Sequence, residues 1–276
     1  MKSRLAQKLN GRFEPIVMVR SDEFPPNAIQ PAGGHHQCMM DLFAQAVAEG
    51  RTVALSRETT TCAGGVTGLG FGNGYATSPE MIERYSAFFA KGLASAQDPA
   101  AYQAFADRVK DPHVRKKFLE GERLFVSPDD AREWITQGLP IYDFPEQYVV
   151  FKPLAALEPG EVPQSVIFMA NPIEVTALLM VSGALPGSSK MASAPTTQFS
   201  GCQALGSQIF FQAEQENPLP VLGYFDLAAR YFLRRLIPDE YIACSLTWSL
   251  FQKMDAQADY VLDSCVWKDL QLASGD

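Results

Sequence analysis

Five short apolar runs limit what this chain can fold into. They lie at residues 17–20 (VMVR), 52–56 (TVALS), 147–152 (QYVVFK), 165–169 (SVIFM) and 219–224 (LPVLGY). Their β-branched and aromatic residues suit a pleated surface that is covered on at least one side. The stretches between them read as helices, but the strands are too few and too unevenly spaced for a regular doubly wound sheet. The predicted class is therefore α+β: a small mixed sheet, or sheets, packed with several helices.

Turn and cap signals place the helices. Ser78-Pro79-Glu80, Ser127-Pro128-Asp129-Asp130 and Asn171-Pro172 each put a capping side chain ahead of a proline at the first helical position. Residues 99–122 read as helix broken at Asp111-Pro112, and Pro238-Asp239-Glu240 opens a final long helix running through Lys253. Glycines 64, 65, 68, 70, 72 and 74 mark an irregular loop, and residues 184–197 mark another. The 276 residues suffice for one large or two ordinary domains. The reading is one globular domain over 1–276, with two lobes of about 1–140 and 141–276 as the alternative division.

With 47% hydrophobic and 20% charged residues the chain has ample material for a core. A net charge of −8 argues against nucleic acid or an anionic membrane as partner. No apolar leader follows the basic start, and no apolar run is long enough to span a bilayer, so the expected compartment is the cytoplasm. There the five cysteines stay reduced; their odd number and wide spacing do not suit a disulfide framework.

Three of those cysteines carry the chemistry of this reading. Cys38 and Cys202 each open a helix-like run, and Cys62 leads into the glycine-rich stretch. A helix N-terminus favours thiolate over thiol, and thiolates attack electrophiles and hold soft metals. Cys38 and Cys202 are the candidate nucleophiles. Cys38, Cys62, Cys202 and His36 are the candidate metal ligands, with an iron–sulfur cluster or a transition metal as the implied group. Gly64 and Gly65 would let a bound cofactor approach the backbone. Against this stands the habit of free cysteine to pack as a small apolar residue, which is the reading for Cys244 and Cys265. The glycines fit neither the dinucleotide nor the phosphate-loop pattern, and no C-x-x-C occurs.

Other charged groups read as structural. Arg108, Lys110, His113, Arg115, Lys116 and Lys117 alternate with acids, as on a solvated helix face. Arg230, Arg234 and Arg235 are spaced either to grip an anion or to face solvent, and Lys152 ends an apolar strand, where it is either a buried partner for a carboxylate or ligand or a side chain that reaches solvent.

Several segments in order resemble the family called domain of unknown function 169, an archaeal conserved region. They are Cys38 with Ala46 and the run 50–54 (GRTVA), the run 62–65 (CAGG) with Leu69-Gly70, the runs 148–154 (YVVFKPL) and 166–172 (VIFMANP), and Ser200-Gly201-Cys202. The match runs from about Val17 to Lys253. The resemblance implies that the three cysteines are recurring thiols, that Lys152-Pro153 and Asn171-Pro172 are structural marks, and no settled activity. Family members often carry a further cysteine before Gly-Asp-Arg; here residues 222–230 (LGYFDLAAR) have none, so a four-thiolate cluster lacks that member.

The favoured function is thiolate-dependent binding of a metal, an iron–sulfur cluster or a redox cofactor. The alternatives are a non-catalytic small-molecule-binding or interaction module with structural cysteines, and a cysteine-nucleophile enzyme.

Overall fold

The computed structural model describes residues 1–32, 37–186, 193–196 and 200–273. Its strands are β1 (Ile16–Ser21), β2 (Val53–Ser56), β3 (Tyr148–Pro153), β4 (Ser165–Ala170), β5 (Ala194–Thr196), β6 (Val221–Gly223) and β7 (Ile242–Thr247). They form one sheet in the order β2-β3-β1-β4-β7-β6-β5. Every pairing is antiparallel except that of β5 with β6, so the class is α+β and the sheet is mixed. β1 lies between two strands from the second half of the chain, with Val17 opposite both Lys152 of β3 and Val166 of β4.

Both faces of the sheet are covered, which is why its inner strands read as unbroken apolar runs. Along β1 and β4, Ile16, Met18, Ile167 and Met169 point into one core, and Val17, Val19, Val166 and Phe168 into the other. On the first face pack α2 (Met39–Glu49), α3 (Ala63–Leu69), α9 (Gly201–Leu205), α10 (Ser207–Ala213) and α11 (Leu227–Leu233). On the second pack α1 (Arg4–Leu9), α8 (Pro172–Gly183), α12 (Trp248–Leu262) and α13 (Cys265–Ala273). A third core, rich in aromatic residues, joins α4 (Pro79–Phe89), α5 (Pro99–Ala106), α6 (Pro112–Glu120) and α7 (Pro128–Glu133).

The cap signals act where the sequence puts them. Ser78 accepts from the Met81 amide and Ser127 from that of Asp130, while Asn171 and Glu174 form a reciprocal capping box. Among the described residues no helix is long and apolar enough to cross a membrane.

Three expectations are corrected. The first concerns residues 242–247, read as part of the last helix; they form β7, and α12 begins only at Trp248, capped by Thr247. The Pro238-Asp239-Glu240 signal makes a turn there, with the Tyr241 amide donating to the Pro238 carbonyl. Pairing with β4 on one side and β6 on the other overrides the helical cue. The second concerns the glycine-rich stretch, whose first half is helical (α3), for a packing reason given below. The third is Cys265, which is exposed, whereas Cys244 is buried as expected.

A thiol-lined cavity as the candidate functional site

Glycine sets the approach of α3 to α9. A methyl group on Gly68 would overlap the Cys202 carbonyl group, and one on Gly206 would overlap the Gly68 carbonyl oxygen. The two helices therefore touch backbone to backbone, and their first turns lie side by side. At that end the place of a Gly64 side chain would fall 2.8 Å from Tyr75 Oη and 3.1 Å from Ser200 Oγ. Asp226, the N-cap of α11, accepts from its own helix at Ala229 N (2.9 Å) and from Gly201 N of α9 (2.8 Å), which ties the starts of these two helices together.

These helix starts and the aromatic module enclose a cavity of about 620 Å³. Cys38, the N-cap of α2, Cys62, the N-cap of α3, and Cys202, in the first turn of α9, all line it, as does Gly64. Gly65 is buried one residue further along α3, packed towards Thr60 and Met39. His36 lies outside the described residues. Among the described residues no three His, Cys, Asp or Glu side chains form a group that could hold a metal ion.

Burial governs the thiols. It pushes Cys38 up from 9.0 to about 12, and the neighbouring Cys62 adds to the rise. Cys62 is also raised by burial, opposed by the amides of Gly65 and Gly64 and by the Lys117 ammonium. Cys202 is held well above the usual thiol range by burial, then by Cys62, Cys38 and Asp226. Desolvation thus works against the helix termini and favours the neutral thiol at all three positions.

The opposite wall is aromatic. Tyr75, Tyr85, Phe88, Phe89, Phe105 and Trp134 all contribute, and the Tyr75 and Phe89 rings meet edge to face at 5.2 Å. Within this wall Lys117 Nζ pairs with Glu122 Oε1 at 2.5 Å. Burial pulls the ammonium's pKa down, but Glu122 more than offsets this and the net shift is upward; on Glu122 burial prevails and raises the carboxyl. Next to the lining residues Val114 and Phe232, His113 of α6 stacks on Tyr231 of α11, with centroids 4.2 Å apart and planes 15° from parallel.

The basic stretch divides. Arg115 pairs with Asp107 and Lys116 with Glu120 on the surface, as expected of a solvated face. Lys117 is half-buried against Glu122, and Arg108 and Lys110, both exposed, line the cavity as well. Arg230 is spent on the carbonyls of Tyr224 and Tyr241, Arg234 on Asp239 and Arg235 on Asp41, so these three tie down local structure. Lys152 is buried and held by both carboxylate oxygens of Glu161 (2.8 and 2.7 Å).

Sequence reasoning missed Tyr75, Lys117, Glu122, Asp226 and the aromatic wall. The one available signal was the density of aromatic residues between positions 75 and 134, which helical periodicity alone assigns to a core.

A model of the family called domain of unknown function 169, described as an uncharacterised ArCR, matches residues 4–257. No curated protein and no solved structure matches the chain.

Proposed function

Because the chain belongs to the domain of unknown function 169 family, whose description carries no chemistry, we propose from the cavity itself that the protein binds a small organic molecule or cofactor against the thiols of Cys38, Cys62 and Cys202. One observation supports this above the rest: three cysteines remote in sequence open onto a single aromatic-walled cavity. Its volume falls within the roughly 300–1,000 Å³ of organic-ligand sites and is far more than a lone ion fills. Neutral thiols are soft, polarisable contacts for such a ligand. Cys62 is the one best placed to lose its proton, since two amides and Lys117 favour its anion. Asp226 opposes ionisation of Cys38 and Cys202. The nucleophile's role, if the ligand is electrophilic, therefore falls to Cys62.

A soft metal ion or an iron–sulfur cluster is the second reading. What supports it is that Cys62 affects the ionisation of Cys38, and both affect that of Cys202, although among the described residues the side chains are not gathered as a ready metal group. A bound cation would draw off the thiol protons that burial retains.

Labelling with N-ethylmaleimide, mapped peptide by peptide, tests the first reading. Phenylnaphthylamine, a neutral two-ring dye, is expected to bind and to protect Cys38, Cys62 and Cys202 while leaving exposed Cys265 reactive. Failure of the dye to bind, or binding without protection, removes this reading. Metal and sulfide analysis of anaerobically purified protein tests the second; a protein free of both, with stability unchanged by added iron and sulfide, removes it.

A further inference from the structure

The lining of the cavity falls into three chemical zones. One part of its lining is the thiols with the Tyr75 hydroxyl and the Lys117–Glu122 pair; a second is aromatic side chains, most of them buried; a third is Arg108 and Lys110, both exposed and so on its solvent side. These two cations stand out in a chain of net charge −8. On the neighbouring helix Arg115, Lys116 and Lys117 each pair with an acid, whereas Arg108 and Lys110 form no ion pair among the described residues. The adjacent acids are engaged elsewhere: Asp107 pairs with Arg115, and Asp111 accepts from the His113 and Val114 amides at the start of α6.

Resting on the ligand-binding reading above, we propose that the ligand is a conjugated ring system carrying heteroatoms and an acidic tail, with its rings among the aromatic side chains, its polar edge towards the three thiols and its anionic group met by Arg108 and Lys110 at the mouth. Each zone excludes an alternative. A pure hydrocarbon would strip water from the thiols and the buried ion pair and return no hydrogen bond. A small polar metabolite would leave the aromatic walls unfilled. A cationic ligand would face two unpaired positive charges as it entered. Ring-bearing ligands also gain from edge and face contacts with the walls and lose little rotational freedom on binding.

Two dyes sharing one ring system separate the zones: anilinonaphthalenesulfonate, which is anionic, and phenylnaphthylamine, which is neutral. Fluorescence titration gives their affinities, and protection of Cys38, Cys62 and Cys202 from N-ethylmaleimide establishes the place of binding. In the double variant Arg108→Gln, Lys110→Gln, the anionic dye should bind about three- to tenfold more weakly, as expected for two exposed charge contacts. The neutral dye should bind as before. High salt should weaken the anionic dye on the native protein and have little effect on the variant. An unchanged affinity for the anionic dye, or equal losses for both dyes, overturns the proposed tail while the cavity remains a ligand site. If neither dye binds, the ligand-binding reading fails and this proposal falls with it.

Discussion

The α-carbon of Gly68 lies against the carbonyl group of Cys202, leaving no room for a side chain between α3 and α9. Gly68→Ala must push the two helices apart, and with them two of the three thiols. The expected cost is about 1–3 kcal/mol, the usual penalty for overfilling a packed contact, read as a lowered urea midpoint. Gly183→Ala, where nothing lies within 4 Å and φ is not positive, is the control; it should be neutral or stabilise by up to about 1 kcal/mol.

Because folding raises the thiol pKa values, stability should fall at alkaline pH. Below 9 the thiols are protonated in both states. Above it the unfolded chain releases protons that the folded protein retains, until Cys38 itself ionises near 12. The unfolded state then binds fewer protons, so stability declines across that window. The phenols of Tyr75 and Tyr85, also raised by burial, add a decline of the same sign. Urea midpoints between pH 8 and 11 should drop more steeply for the native protein than for Cys38→Ser; equal slopes would show that the thiol does not contribute.

Glu122 offsets the pull of Lys117 on Cys62. Glu122→Gln should therefore speed alkylation of Cys62 at fixed pH, since it removes a group that opposes ionisation. It should also destabilise the fold by about 2–4 kcal/mol, somewhat below or within the range for splitting a buried pair, because some solvent reaches both side chains. Replacing both partners, Lys117→Met with Glu122→Leu, should cost less than either single change. A double-mutant cycle on urea unfolding gives the coupling.

The stack of His113 on Tyr231 joins the aromatic module to α11. Tyr231→Ala should loosen that side of the cavity at a cost of about 0.5–1.5 kcal/mol beyond lost surface burial. Hydrogen exchange should quicken in α6 and α11 while β1 and β4 keep their protection.

Much of the fold was legible because its signals are local. Ser78, Ser127 and Asn171 announce helices that begin where they stand, and β1 to β4 are read from their apolar runs. The failures are places where distant contacts decide. Pro238 suggests a helix, but two neighbouring strands claim residues 242–247. The glycines at 64, 65 and 68 suggest a loop, but the close approach of α9 requires a helix without side chains. Helix starts at Cys38 and Cys202 were visible in the sequence. The burial that keeps their protons in place was not, because Cys202 sits in, and Cys38 packs against, the first-face core, which gathers residues of β1, α2, β4 and α11 from distant parts of the chain.

The seating of β1 between β3 and β4 has a consequence for biosynthesis. While the ribosome is still making the first half, the edges of β1 find neither of their final neighbours, since those arrive only with residues 148–170. The emerging polypeptide must hold an apolar segment in waiting across more than a hundred residues of translation, a span in which a chaperone that shields exposed strands would find its binding site.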